Sequence, residues 1–279
     1  MEWLTEHKLP IGPLARDVVD WLTANASGFF DAISYGLSQM IDALLYLLQA
    51  PHPLLVVGLT SAFAFLLKRS LGFTLFTAAG LILIINQGYW EETTETLALV
   101  LSSAIICMAI GVPIGILAAR RPWLMQALRP ILDLMQTIPT FVYLIPALIL
   151  FGLGMVPGLI ATVVFAIPAP IRLTQLGISS TPRPLIEAAD AFGATPWQRL
   201  WKVELPYALP QIMAGLTQTI MLSLSMVVIA ALVGADGLGV PTLRALNQVN
   251  IARGFEVGVA IVLVAIILDR LCRGTEDRK

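Results

Sequence analysis

Apolar residues gather along this chain in seven runs separated by short polar stretches, at residues 54–67, 71–88, 96–119, 138–153, 159–178, 212–233 and 255–271. Each approaches the roughly 20 residues that an α-helix needs to cross a bilayer. A helix satisfies its own backbone donors and acceptors, which lipid cannot do, so the runs predict membrane helices. Ahead of them the pattern changes. Between residues 29 and 48 the apolar positions are Phe30, Ile33, Leu37, Met40, Ile41, Leu44 and Leu48, the i, i+3, i+4 spacing of an amphipathic helix. Asp31, Ser34, Ser38 and Asp42 mark its other face. Leu14, Val18, Trp21 and Leu22 begin a shorter stripe, and residues 24–28 separate the two. The expected architecture is all-α. An external or interfacial amphipathic helical segment (1–52) precedes a transmembrane domain of about seven helices (53–272) and a short cytoplasmic tail (273–279).

Composition agrees with a polytopic membrane protein. Hydrophobic residues make up 57% of the chain and charged residues 13%, against about 25% charged in soluble domains. Mean hydropathy is +0.84. A net charge of −1 speaks against nucleic acid as a partner. The first residues, with Glu2 and Glu6 and only Lys8 and Arg16 basic, do not predict a cleavable signal.

Basic residues set the expected orientation. With the N-terminus outside, the inner loops hold Lys68, Arg69, Arg120, Arg121, Arg129, Arg172, Arg183, Arg199 and Lys202, and the inner C-terminus holds Arg270, Arg273, Arg278 and Lys279. Lys8, Arg16, Arg244 and Arg253 are left outside, as is the acidic stretch with Glu91, Glu92 and Glu95. Cys272 then faces the reducing cytosol, so no disulfide with Cys107 is expected. His7 and His52 are isolated from cysteines and paired carboxylates, and no metal site is expected.

The polar loop at about 177–210 is the most informative stretch. It contains Glu187-Ala188-Ala189, a glycine six residues after the glutamate (Gly193), Val203 ten residues further on, and Leu205-Pro206. Glu187 favours the start of a helix, Gly193 a tight turn, and Pro196 the first turn of a second helix. Trp197, Leu200 and Trp201 give that second helix an apolar face. Leu205-Pro206 and Leu209-Pro210 are expected to break the chain before the next span. A helix–turn–helix lying along the membrane surface results. This pattern resembles the coupling loop, with its Glu-Ala-Ala motif, of the membrane subunits of ABC-type importers. The resemblance implies that Glu187, Ala188, Ala189, Gly193, Ala194, Pro196, Leu205 and Pro206 engage a separate ATPase.

Three further stretches extend the likeness: Met135-Gln-Thr-Ile-Pro139-Thr-Phe-Val-Tyr143-Leu-Ile-Pro146, Pro168-Ala-Pro170-Ile-Arg172-Leu-Thr-Gln-Leu-Gly177-Ile, and Gly234-Ala-Asp236-Gly-Leu-Gly239. They resemble the permease subunits of glycine betaine, proline betaine and choline importers. That resemblance implies a type I importer of the bacterial inner membrane, used in osmolyte uptake and osmoprotection. By the same resemblance, two copies of the permease would pair with two cytoplasmic ATPases, and a periplasmic or lipid-anchored binding protein would deliver the solute. ATP and magnesium act in the ATPase, and this chain carries no cofactor. Val203 stands where the general pattern often has isoleucine, a conservative departure.

Prolines 139, 146, 168 and 170 remove backbone donors inside apolar runs. The freed carbonyls need new partners or an aqueous cavity, so Pro139, Pro168 and Pro170, with Tyr143, are candidates for a pathway or gate. Static kinks filled by packing are the alternative. Thr219, Ser223 and Met226 share a helical face, which suits either helix packing or the lining of a pathway. The glycines of residues 234–239 suit a re-entrant outer turn and close approach of two copies. Asp236 there is a cap or a pathway residue.

The chain carries no enzyme constellation. Its lysines, at 8, 68, 202 and 279, lie in no G-x-x-x-x-G-K-[ST] loop, so it cannot hydrolyse ATP by that route. Ionisable residues are nearly absent from the spans, which disfavours an ion-coupled carrier. The expected function is the transmembrane subunit of an ATP-driven importer of choline or glycine betaine. Permeases for taurine, nitrate or sulfonate, an ion-coupled carrier and a passive channel are the alternatives.

Overall fold

The computed structural model describes residues 10–273 of the 279. Glu2, Glu6, His7 and Lys8, and the tail beyond Arg273 with Arg278 and Lys279, lie outside the described residues. Helices α1 (Ile11–Gln49), α2 (Pro53–Lys68) and α3 (Leu71–Asn86) come first. The two amphipathic helices expected before residue 50 are one helix, kinked at Ala26 (φ −127°, ψ 17°). Residues 24–28 bend the helix without ending it. The Thr23 hydroxyl and the Asn25 amide donate to the Val19 and Trp21 carbonyls one turn back, at 2.9 and 2.8 Å, so these polar side chains stay within the helix. His52 caps α2, its Nδ1 accepting from the Leu54 N–H at 3.3 Å.

The bundle proper follows: α4 (Trp90–Arg120), α5 (Pro122–Thr137), α6 (Thr140–Phe151), α7 (Met155–Ala166) and α8 (Pro168–Ser179). After a polar connection come α9 (Arg183–Ala191), α10 (Pro196–Arg199), a π turn (Leu200–Glu204), α11 (Leu205–Ala230), a short 3-10 turn (Ala231–Val233), α12 (Gly239–Asn247) and α13 (Ile251–Cys272). No strand occurs among the described residues.

Among the described residues, four helical stretches are long and apolar enough to cross a membrane: α4, α7 with α8, the continuous run Pro196–Val233, and α13. Counting two bent pairs as one span each, α1 with α2 (97°) and α5 with α6 (95°), raises this to six. The expected count of about seven is reached only if α3, a shorter apolar helix, crosses as well. Length explains the shortfall. Helix α3 has 16 residues and spans about 24 Å at 1.5 Å per residue, short of the ~30 Å hydrocarbon core.

The expected break at Leu205-Pro206 and Leu209-Pro210 is also absent, since helix runs without interruption from Pro196 to Val233. Pro206 is the second residue of α11 and stands inside this continuous helix, directly after a π turn. The π turn just before it closes through the Leu205 N–H on the Leu200 carbonyl.

A core sits where α4, α11 and α13 meet, with α8 packed on α4 and α11 beside it. Leu99, Val100 and Ala104 of α4 pack with Ile220, Leu224 and Val227 of α11 and Val257, Ala260 and Val264 of α13. Small residues bring α4 and α8 together, as membrane helices require in the absence of a hydrophobic drive between them. A Cβ at Gly115 would lie 2.6 Å from the Thr174 Cβ and 2.7 Å from the Ile171 carbonyl oxygen, and one at Gly111 would lie 2.8 Å from the Pro170 ring. Gly115→Ala is therefore expected to destabilise the bundle by about 1–3 kcal/mol. A lower thermal midpoint in detergent reports it, while Gly58→Ala, where a Cβ meets open space, keeps the wild-type midpoint. Equal midpoints for the two variants would contradict the packing argument.

Candidate functional site

The loop between α8 and α11 folds locally, from short-range signals. Helix α9 ends at Gly193, which takes φ +74°, a left-handed conformation that costs glycine nothing and other residues much more. That conformation lets the Gly193 N–H reach the Asp190 carbonyl at 2.9 Å and the Ala194 N–H reach the Ala189 carbonyl at 3.0 Å, the paired bonds of a left-handed helix cap. The next helix starts two residues later with a capping box. The Thr195 hydroxyl accepts from the Gln198 N–H at 3.3 Å, and the Gln198 side chain accepts from the Thr195 N–H at 2.9 Å. Pro196 fills the first turn. Helix α9 opens at Arg183, after Pro182, so Glu187 lies in its second turn and not at its start as expected, and the interval from Glu187 to Gly193 is the second half of that helix plus its cap.

Glu187 and Ala188 are exposed on α9, Ala189 is half-buried, Gly193 and Pro196 are exposed, and Ala194 and Leu205 are half-buried; Pro206 is exposed. Beside them stand three large aromatics, Phe192 at 93% exposure, Trp197 at 65% and Trp201 at 56%. The two indoles meet edge to face, 5.5 Å between centroids. These side chains give the loop an exposed aromatic surface. Below that surface the loop is anchored by Leu200, which is buried with Ile178, Ala208 and Ile212 against Met108, Val112 and Ile116 of α4.

Buried charge strengthens the anchor. Glu204 is 5% exposed. One of its carboxylate oxygens accepts from Arg120 at 3.1 Å and the other from Arg199 at 3.0 Å. Arg199 also reaches Asp190 at 3.2 Å, and Arg120 donates to the Pro196 carbonyl at 3.1 Å. Sequence reasoning missed Arg120, Asp190, Arg199 and Glu204 as a group. The only linear hint was an acidic residue placed between Val203 and Leu205.

The pathway candidates separate. Pro139 is exposed at the 95° bend between α5 and α6, and Tyr143 donates its hydroxyl across that bend to the Leu134 and Met135 carbonyls. Pro168 and Pro170 are buried. They do not break the span, because the chain stays helical from Met155 to Ser179 apart from Ile167 and Pro170 packs on Gly111. Thr219, Ser223 and Met226 are at most 1% exposed. The Thr219 hydroxyl donates to the Gly215 carbonyl at 2.8 Å, and Ser223 bonds Ser103 of α4 at 3.0 Å. The structure thus places this face in helix packing.

Residues 234–239 do form a tight turn. Its close approaches are to this chain's own helices: the Leu238 N–H bonds Thr96 at 2.9 Å, and a Cβ at Gly239 would sit 2.3 Å from the Val227 carbonyl. Asp236 does not cap α12, which has no side-chain cap. It is exposed beside Glu91, Glu92, Glu95 and Arg244, around a small pocket. Just ahead of α4, the Tyr89 hydroxyl bonds Glu256 at 3.2 Å, and burial pushes its phenol above the usual range.

Comparison with known proteins agrees with this architecture. The family described as "Binding-protein-dependent transport system inner membrane component" matches residues 111–278. The glycine betaine transport system permease protein OpuAB of Bacillus subtilis (strain 168) is 46% identical over 98% of this chain and 96% of that protein. The glycine betaine/carnitine transport permease protein GbuB of Listeria monocytogenes serotype 1/2a (strain 10403S) is 46% identical over 94% of each. The glycine betaine/proline betaine transport system permease protein ProW of Escherichia coli (strain K12) is 42% identical over 95% of this chain and 75% of its own length. Among solved structures, a chain of the inward-facing MetNI methionine ABC transporter superposes with a TM-score of 0.57 at 29% identity, covering 64% of this chain and 92% of that one. A multi-pass bundle with an aromatic surface loop, related along nearly its whole length to transport permeases, belongs to the binding-protein-dependent transport system inner membrane component family.

Proposed function

We propose that this chain forms the translocation path of an ATP-driven importer for glycine betaine and closely related betaines. The observation that carries the substrate class is 46% identity over nearly the full length of both chains with a glycine betaine permease. The solutes named for the relatives share a methylated, positively charged nitrogen and a carboxylate. A receptor recognises the first through an aromatic cage. The panel that tests the class contains labelled glycine betaine, proline betaine, carnitine, choline and taurine. Uptake is measured in cells stripped of their own betaine carriers and supplied with this permease and its partners. Betaine uptake that unlabelled taurine suppresses as strongly as unlabelled betaine would refute the assignment; suppression by choline alone would move the substrate to choline.

Supporting the ATPase reading is the aromatic surface of Phe192, Trp197 and Trp201, of which Trp197 and Trp201 are continuous through one helix with the span that ends at Val233. A soluble subunit that binds this surface displaces α11 as a rigid body. Glu187 and Gly193 belong to that coupling element and not to a solute site. One permease supplies one such element, so the complex contains two permeases and two ATPases, with ATP and magnesium bound in the ATPases.

The distribution of basic residues supports an external N-terminus and a cytoplasmic coupling loop, an arrangement in which the short helix α3 crosses together with the six longer candidates. In a background lacking Cys107 and Cys272, an impermeant maleimide on intact cells is expected to label Ser34→Cys and to reach Ser179→Cys only after lysis. The opposite pattern would invert the topology.

A further inference from the structure

We propose that Glu204 is the positioning residue through which movement of the coupling helices is passed to α4, an assignment that rests on the ATP-driven reading above. Glu204 is the one charged residue among the buried polar residues described, the rest being serines and threonines. Burial of a carboxylate is tolerated only with close charged partners, and Glu204 has two, drawn from different elements. Arg120 is in the last turn of α4. Arg199 closes α10 and also holds Asp190 of α9.

The π turn makes this arrangement possible. Arg199 and Glu204 are five residues apart. In an α-helix such residues lie about 140° apart around the axis and cannot meet across so short a span. The wider i→i+5 turn at Leu200–Glu204 brings them to one side. Trp197 and Trp201 stay on the exposed surface while Glu204 turns inward. One face of the element thus meets the partner, and the other is tied to a second span.

A cleft of about 400 Å³ opens beside the ion pairs, between the ends of α4 and α8 and the coupling helices, with Ala119, Ser179 and Ile186 on its walls. Close packing does not fill this region. The link from α10 to α4 runs through Arg120, by its bonds to Glu204 and to the Pro196 carbonyl. Displacement of α10 therefore pulls on the end of α4, the helix that packs against α8 and α11 in the core. Without the carboxylate, α10 and α11 still move together, but α4 is held to them only by the Arg120–Pro196 bond and the apolar contacts of Leu200, and follows less far.

The test uses the permease reconstituted with its ATPase and receptor, and reads glycine betaine accumulated per ATP hydrolysed. Arg120→Gln and Glu204→Gln are each expected to lower that ratio by about fivefold or more, and the double variant by clearly less than the product of the two effects, because each alone already breaks the pair they share. Glu204→Asp keeps the charge and is expected to recover at least about half of the wild-type ratio. A general structural defect would lower uptake and hydrolysis together and leave the ratio in place. Wild-type ratios in both single variants, or effects that multiply in the double, would overturn the proposal. Arg120 is one-third exposed, so if Glu204→Gln fails to assemble, Arg120→Gln decides by the same threshold. A wild-type complex that shows no ATP-driven uptake overturns the ATP-driven reading itself, before any variant is compared.

Discussion

Proteoliposomes that hold this permease alone accumulate no glycine betaine under an imposed proton or sodium gradient, and adding ATPase, receptor and ATP starts accumulation. A tenfold concentration ratio of the solute requires about 1.4 kcal/mol and a hundredfold ratio about 2.8 kcal/mol. Some part of the machine must supply that free energy. A gradient-driven carrier draws it from a group that binds an ion in one conformation and releases it in another. The described interior offers serine and threonine hydroxyls, several bonded back to their own helix, such as Thr162 to the Gly158 carbonyl and Thr219 to the Gly215 carbonyl. The buried carboxylate Glu204 is held by two arginines where the end of α4 meets the loop between α8 and α11. Arg172 is paired with Asp133, and Asp269 with Arg273. Nor does the chain carry a phosphate-binding loop, its four lysines lying in no such motif. Free energy therefore enters through contact with a partner. Equilibrated solute, inside equal to outside, is the most the permease alone can reach. Gradient-driven accumulation above about tenfold without ATPase would replace this reading with a secondary carrier.

The parts of this molecule that were legible in the sequence are those set by short-range rules. The helix–turn–helix between α8 and α11 follows from Gly193, Thr195 and Pro196 because a left-handed cap and a capping box each close within six residues, whereas Glu187, read as a helix start, lies in the second turn of a helix that opens at Arg183. The long apolar helices α4 and α13 follow from hydropathy, which needs only local composition. What escaped has longer range or breaks the 3.6-residue period. Hydropathy counts runs but does not see the 95° bend between α5 and α6 or the shortness of α3. Proline reads as a break in any linear scheme. Yet Pro113 of α4 and Pro210 of α11 lie inside continuous helices, and Pro170 fills the space that Gly111 leaves. The Arg120–Glu204 pair joins residues 84 positions apart, and Arg199 meets Glu204 only because the turn between them is widened. Neither contact has a signature along the chain.

Gly193→Val is expected to abolish receptor-stimulated, ATP-driven uptake almost completely, while Gly193→Asn retains most of it. The two variants separate conformation from volume. A Cβ at Gly193 meets nothing within 4 Å, so a larger side chain has room. The obstacle is the backbone, since φ at Gly193 is +74°. A β-branched residue is an outlier there, whereas asparagine visits the left-handed region readily. Forcing valine into it costs of order 1–3 kcal/mol, and the loop has a cheaper choice, which is to give up the cap. The bonds from Gly193 to Asp190 and from Ala194 to Ala189 then open, and α9 and α10 lose their fixed angle. Asp190 moves away from Arg199, so the strain reaches the ion pairs that tie the loop to α4. The bundle itself, anchored through Leu200 and the α4–α8–α11 core, stays folded. Detergent-solubilised Gly193→Val should thus elute and melt like wild type but fail to stimulate ATP hydrolysis in the assembled complex. If valine and asparagine lower uptake equally, the left-handed cap is not what the coupling element depends on. If valine leaves both uptake and stimulation at wild-type levels, this loop is not the contact through which ATP hydrolysis moves α11.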